Sequence, residues 1–221
     1  EIVNDVVEGN PVSITYCPLT GTVLGFERGE TTFGVSGKLV NNNLVMYDRA
    51  SESWWSQILA TGIKGPHTGD SLRQFPLVWT RWRRWRMAYP ETEVLSRDTG
   101  YLRNYGSDPY GNYSPKSGYY SDKGTLFDPL RDDDRFHPKN VVVGTRADGG
   151  TVAVNKSQVT FHGMVTAGEY VAVHDADLDA VYLYHNPEQA EFTLDNGTVI
   201  GPDGSYEPDS MPLTRVMAFD A

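Results

Sequence analysis

Val12-Ser13-Ile14-Thr15-Tyr16-Cys17-Pro18-Leu19-Thr20-Gly21-Thr22-Val23-Leu24-Gly25-Phe26 carries the clearest structural signal in the chain. Val12, Ile14 and Tyr16 alternate with Ser13 and Thr15, the period of a half-buried strand. Proline cannot donate to a ladder, so Cys17-Pro18 ends that strand. Gly21 turns the chain, and residues 22–26 run back. Outward from this hairpin the same signals recur. Glu27-Arg28-Gly29-Glu30 is a further turn. Residues 31–35 form another strand, closed by Ser36-Gly37. Residues 39–47 read as a strand pair interrupted by Asn41-Asn42-Asn43, because asparagine tolerates the left-handed region that tight turns need.

Residues 141–154 read as a hairpin around Asp148-Gly149-Gly150. Residues 171–173 and 181–184 flank another turn, and residues 192–200 form a hairpin turning at Asn196-Gly197. One helix is predicted near 76–88. Pro76 suits a first turn, Trp79, Trp82, Trp85 and Met87 recur at near-helical spacing, and Pro90 stops the run. Residues 96–130 are rich in Tyr, Gly, Pro, Ser and Asp without a period and read as a long ordered loop. The expected fold is mostly β, an α+β arrangement of antiparallel meanders with one short tryptophan-rich helix.

A faint repeat joins the two ends. Ile14 to Cys17, a turn, Val23 to Phe26, then Phe33 and Val35 is answered by Val171 to His174, a turn, Val181 to Tyr184, then Phe192 and Leu194. Two readings stand. Either the single domain 1–221 holds two related lobes, 1–135 and 136–221, with Cys17 and His174 in equivalent positions, or any two three-strand meanders share this outline.

The formal net charge of -10 repels a phosphate backbone and argues against nucleic-acid binding. The same acidity suits a high-salt habitat. No stretch approaches the roughly 20 apolar residues that span a bilayer. The single cysteine excludes an internal disulfide and a cysteine-based zinc cluster. Asn112, Asn155 and Asn196 lie in N-x-[ST] sequons, glycosylation sites if the protein leaves the cytoplasm. The chain opens at Glu1 without an initiator methionine and reads as a piece cropped at both ends.

Several constellations could carry chemistry. Cys17, at a strand end before a proline-bounded turn, suits a nucleophile or a soft metal ligand, and equally a buried inert thiol. A copper site of Cys17, His174 and Met46 could be assembled through space. Asp128, Asp132, Asp133 and Asp134 form one acidic cluster and Asp175, Asp177 and Asp179 another. Both suit calcium or solvated turns, and neither matches an EF-hand. Arg81, Arg83, Arg84 and Arg86 interleave with Trp82 and Trp85, as an anion contact or as the polar face of a helix. Trp54, Trp55, Tyr101, Tyr105, Tyr110, Tyr113, Tyr119 and Tyr120 flank amides and carboxylates, which suits a sugar-binding groove or a loop core.

Longer strings add a resemblance. Asn4-Asp5, Gly9-x-Pro11, Thr15-Tyr16-Cys17-Pro18-Leu19-x-Gly21-Thr22, Phe33-Gly34-Val35-Ser36-Gly37, Asn43 to Arg49 and Ser53-x-Trp55-x-Gln57 open it. Trp82 before Pro90, Val94-Leu95-Ser96, Thr99-Gly100-Tyr101 and Asp108-Pro109-Tyr110-Gly111-x-Tyr113 continue it. This resembles an uncharacterised family of bacterial and archaeal proteins, a domain of unknown function, over most of residues 1–145. Many members look exported or lipid-anchored. Many also carry a second cysteine where this chain has Thr20, so a two-cysteine role does not transfer. The Thr20 variant resembles members from salt-loving archaea.

The expectation is therefore an extracytoplasmic binding protein for a small molecule, glycan or protein. Its ligand site is placed at Cys17, Tyr47, Asp48, Arg49, Trp54, Trp55, Tyr110 and Tyr113, with a metal, copper in particular, near Cys17. A self-assembling cell-surface protein and a Cys17-centred redox or copper enzyme are the alternatives.

Overall fold

The computed structural model describes residues 2–113, 115–121, 124–130, 134–147 and 150–220. The structure is mostly β, with several antiparallel sheets and two short helices. Three strands, β1 (Ile2–Val7), β2 (Asn10–Cys17) and β3 (Thr22–Glu27), form the first meander. A second meander follows: β4 (Phe33–Val40), β5 (Asn43–Asp48), β6 (Trp54–Ser56) and β7 (Thr61–Lys64). The short β8 (Gln74–Phe75) then returns to pair with β3. The two sheets enclose a core of Cys17, Leu24, Phe26, Phe33, Leu44, Met46, Trp55 and Ala60.

Ser36-Gly37 does not close a strand as expected. β4 runs on to Val40 and absorbs the pair as a bulge, the register slipping between Val35 and Lys38. The Asn41-Asn42 turn is where the sequence places it, both residues left-handed at φ 50° and 66°.

The alternation of β2 is also inverted. Ser13 and Thr15 point into the sandwich with Cys17, all three buried, while Ile14 and Tyr16 face outward. This arrangement is tolerable because the inward hydroxyls are satisfied. Ser13 Oγ donates to Asn4 Oδ1 at 2.7 Å, and Thr15 Oγ1 donates to the Leu24 carbonyl at 3.0 Å. The outward face is covered instead by residues 75–79.

That strap corrects the predicted helix. Residues 76–81 are not helical, and α1 spans only Trp82–Ala88. Trp79 is held by tertiary contacts, its ring 5.9 Å from Tyr16 and 5.7 Å from Tyr113. Thr80 Oγ1 donates to the Leu178 carbonyl, and Val78 and Trp85 pack on the second half's core. These ties hold 76–80 as a bridge between the two halves.

The second half opens with β9 (Val142–Ala147) and β10 (Gly150–Asn155), paired as expected. Asp148 and Gly149 of their predicted turn lie outside the described residues. An unexpected helix, α2 (Lys156–His162), follows, capped by the Asn155 side chain accepting from the Ser157 amide at 2.9 Å. Next come β11 (Met164–Ala167), β12 (Tyr170–Asp175) and β13 (Ala180–His185). They are followed by β14 (Thr193–Asp195), β15 (Thr198–Gly201) and β16 (Gly204–Tyr206). Finally β17 (Thr214–Arg215) returns to β13, and β18 (Phe219–Asp220) pairs with β9.

The two halves thus share one connectivity. A three-stranded meander is followed by a separate meander, and a two-residue strand returns to the third strand: β1-β2-β3-β8 and β11-β12-β13-β17. The central hairpins each have a four-residue loop, 18–21 and 176–179, ending in a left-handed residue, Gly21 at φ 63° and Asp179 at φ 55°. That register makes Cys17 correspond to Asp175, and Tyr16 to His174. The expected equivalence of Cys17 and His174 is off by one residue, which in a strand is the opposite face. β12 is buried on both sides. Val171 and Val173 face Tyr184, Tyr182, Leu178 and Val199, while Ala172 and Leu183 face Val143, Val154 and Val159 beneath α2.

Candidate functional site

Alternation along β5 sorts the family-like string 43–49 onto two faces. Leu44, Met46 and Asp48 point into the sandwich, and Val45 and Tyr47 point out. Tyr47 lies opposite Trp54 and Gly34. A Cβ at Gly34 would meet the Tyr47 ring at 2.5 Å, so glycine is what lets the ring lie flat on the sheet.

The inward residues are structural. Asn43 Nδ2 donates to Gln57 Oε1 and to Thr20 Oγ1, each at 3.0 Å. Gln57 Nε2 donates to Thr15 Oγ1 at 2.9 Å and to the Thr22 carbonyl at 3.1 Å. Ile58 N–H donates to Asn43 Oδ1 at 3.0 Å. Gln57 is fully buried, and among the described residues no buried side-chain polar atom lacks a partner.

Beside this network, Asp48 is buried. It accepts from Trp55 Nε1 at 2.9 Å, from the Ser51 amide at 2.6 Å and from the Ser51 hydroxyl. Burial alone would raise its carboxyl. The bonds from Trp55 and Ser51, with the His67 imidazole nearby, hold it below the usual carboxylate range instead. A depressed folded value contributes stability that is complete above the unfolded value of about 3.9 and is lost as pH falls through the folded value. Asp48→Asn puts a donor where Trp55 and Ser51 need an acceptor. It is expected to cost about 2 kcal/mol at neutral pH. Urea midpoints measured against pH should show the gap to the parent narrowing below about pH 4.

The outward residues make a different surface. Lys64 Nζ lies 4.3 Å and Lys38 Nζ 5.0 Å from the Trp54 ring centroid, and the Arg49 guanidinium lies 5.5 Å from that of Tyr47. Arg49 is anchored by donating to the Phe33 carbonyl at 2.7 Å and to Thr32 Oγ1 at 3.0 Å. Among the described residues none of these three cations has a carboxylate within ion-pair distance. Sequence reasoning named Tyr47, Arg49 and Trp54 but missed Lys38 and Lys64, which meet Trp54 only through cross-strand register.

The other expected site residues fall elsewhere. Tyr113 stacks on Tyr120 at 4.0 Å, and the Tyr16 hydroxyl meets those of Tyr113 and, at 2.7 Å, Tyr120. Burial pushes the Tyr16 and Tyr113 phenols upward. The bonds with Tyr113 and Tyr120 add to this at Tyr16, whereas at Tyr113 the Tyr120 bond adds to it and the Tyr16 bond opposes it. Tyr110 sits edge-on to Tyr119 at 6.4 Å. This cluster covers the outer face of β2, across the sandwich from Tyr47 and Trp54.

The proposed copper ligands are not brought together. Cys17 and Met46 share the first core, where Cys17 Sγ contacts the Asn42 carbonyl at 3.6 Å. His174 lies on β12, its Nε2 3.2 Å from Asp179 Oδ1. These residues do not fit the copper set, and among the described residues no group of three or more His, Cys, Asp or Glu side chains could hold a metal.

Asp175 is occupied in its own hairpin, accepting from the Asp177 and Leu178 amides. Asp132 and Asp133 of the first acidic cluster lie outside the described residues. Of the sequon asparagines, Asn112 and Asn196 are exposed and Asn155 caps α2; Ser114 of the first sequon lies outside the described residues. Arg84 of the arginine run donates to the Ala176 and Asp177 carbonyls.

A cleft between the halves, lined by Val23, Leu77, Trp79, Val181, Tyr182 and Arg215 among others, holds about 70 Å³. That is room for a few waters, far below the roughly 300–1,000 Å³ of ordinary ligand pockets. A wider, more open hollow of about 580 Å³ lies along α1, lined by Arg81, Arg83, Arg84, Met87, Ala88 and Asp177. The ring-and-cation face of β4–β7, where three cations gather over two aromatic rings, is the candidate site. Among the described residues no helix is long and apolar enough to cross a membrane.

No curated protein matches the chain, and no solved structure does. A family model does, over residues 1–211, and the chain belongs to the family described as "Protein of unknown function (DUF3179)".

Proposed function

We propose that the protein is an exported or cell-surface binding protein whose ligand is an acidic glycan, seated on the outer face of the β4–β7 sheet. One observation supports this above the rest. Lys38, Lys64 and Arg49 gather over the Trp54 and Tyr47 rings, with no carboxylate partner among the described residues, on a chain of net charge -10. A sugar presents an apolar C–H face that packs on an aromatic ring, and carboxylate or sulfate groups around it pair with the flanking cations. Each cation contact over a ring contributes about 0.5–2 kcal/mol, so one sugar binds weakly and a polymer binds by avidity. Export rests on the resemblance of the opening motifs to exported members of the family.

The test is a calorimetric titration with polygalacturonate, against neutral dextran as control. Binding of the acidic polymer alone, weakened by salt, is expected. Trp54→Ala should lose about tenfold or more in affinity, and the Lys38→Gln/Lys64→Gln pair should flatten the salt dependence. Thermal midpoints should stay within about 4 °C of the parent, because these are surface positions. Equal binding of dextran, or no binding of either polymer, would sink the reading.

A further inference from the structure

Positive charge on this acidic chain is concentrated beside α1. Residues 71–90 contain five arginines, no lysine and no acidic residue. Three of the five, Arg81, Arg83 and Arg84, line the hollow of about 580 Å³ along the helix. Arg86 lies one turn beyond Arg83 on the same helix. A hollow of this volume falls within the range of ordinary small-molecule sites, roughly 300–1,000 Å³. It lies on α1 and the β12–β13 hairpin, away from the β4–β7 face.

Arg84 is fixed in place with one edge to spare. Its Nη1 donates to the Ala176 carbonyl at 2.5 Å and to the Asp177 carbonyl at 2.9 Å. Those bonds pin the guanidinium and leave its Nε–Nη2 edge unengaged among the described residues. That edge is the fork with which an arginine grips an oxyanion through two parallel hydrogen bonds. Arg83 is exposed and makes no ion pair among the described residues. Asp177 is the one carboxylate of the lining, and it is not ion-paired with either arginine. Met87, 75% exposed, gives the same hollow an apolar wall beside the cations.

We propose that the hollow along α1 is a binding site for a phosphate ester. Its phosphoryl oxygens are held by the forks of Arg83 and Arg84, and its carbon part lies on Met87 and Ala88. The residue types select the ligand. A phosphoryl group carries nearly two negative charges and three acceptor oxygens, so it can engage two forks at once, where a carboxylate offers one charge and two oxygens. Arginine without lysine favours this planar, two-point recognition over a diffuse attraction of point charges. The ester is either soluble or the headgroup of a lipid, since both present the same phosphoryl oxygens. The site is independent of the glycan reading, which concerns the β4–β7 face.

Titration of the chain with phenyl phosphate, followed through the arginine Nε–H signals in an NMR spectrum, tests it, with phenol as control. Shifts at Arg83 and Arg84 are expected with phenyl phosphate and none with phenol. Arg83→Gln should weaken binding by about tenfold or more, as the loss of a charge-assisted bond does, and Arg83→Lys should recover only part of that loss. Arg83 is exposed and unpaired, so circular dichroism should match the parent for both variants. Vesicles of phosphatidylcholine with and without phosphatidate separate the two sources. Sedimentation of the chain with phosphatidate vesicles, lost in Arg83→Gln, supports the site with a lipid headgroup in it. Binding of phenyl phosphate without binding to vesicles supports it with a soluble ester. The proposal is overturned if neither probe binds, if Arg49 shifts in place of the α1 arginines, if phenol binds equally well, or if Arg83→Gln binds as the parent does.

Discussion

Gln57→Ala is expected to destabilise the protein by about 4 kcal/mol, combining a buried void with polar groups left without partners. The amide joins Thr15 and Thr22 of the first meander to Asn43 of the second. Its removal leaves one Asn43 donor with only Thr20 to serve, and leaves the Thr22 carbonyl and Thr15 hydroxyl facing a hole. Against total stabilities of about 5–15 kcal/mol, that is a large fraction. The urea midpoint should fall with an unchanged slope, since the surface exposed on unfolding is the same. Thr15→Val made in the same chain should cost less than the sum of the two single changes, because the pair removes both ends of one bond. Strict additivity would show that the network does not act as drawn.

The second large effect is expected at Gly62, where alanine should cost about 3 kcal/mol. A Cβ there would be driven into the His67 backbone carbonyl, well inside contact distance, with the His67 carbon at 2.8 Å. The obstacle is main chain, so no rotamer change relieves it. Residues 65–70 must move as a piece, because Gly69 N–H donates to the Gly62 carbonyl and Gly62 N–H to that of Asp70, each at 2.9 Å. The shift should carry His67 off the Trp55 ring, on which it stacks at 5.5 Å. A drop in thermal midpoint together with altered tryptophan fluorescence would report both events. A neutral Gly62→Ala would mean the loop yields freely.

The sequence revealed hairpins wherever the information was local. Asn41-Asn42 and Asn196-Gly197 turn the chain because their side chains tolerate positive φ, and the flanking alternation needs nothing distant. The helix was misplaced for the opposite reason. Trp79, Trp82 and Trp85 have a helical period, but Trp79 is committed to Tyr16 and Tyr113, which no periodicity reveals. α2 was missed although its cap was in view: Asn155-Lys156-Ser157 reads as a sequon, and the same asparagine two residues before a serine is an N-cap. Ser13 and Thr15 looked solvent-facing because hydroxyls usually are; their burial depends on Asn4 and Gln57. Tyr47, Arg49 and Trp54 could be nominated one by one. Their separation from Tyr110 and Tyr113, and the addition of Lys38 and Lys64, required the register of three strands.

The returning strands have a consequence for the order in which the chain becomes native. The first half is closed when Gln74 and Phe75 zip onto β3, and no pairing of its two sheets requires any later residue. The second half must wait for Thr214 and Arg215, almost the end of the chain. A polypeptide released amino end first can therefore complete one sandwich while the rest is still being made. The finished sandwich then offers its strap, with Val78 and Thr80 in place, as a template on which the later strands assemble. Chain growth itself keeps the two similar meanders from exchanging strands, since the earlier one has closed before its counterpart exists.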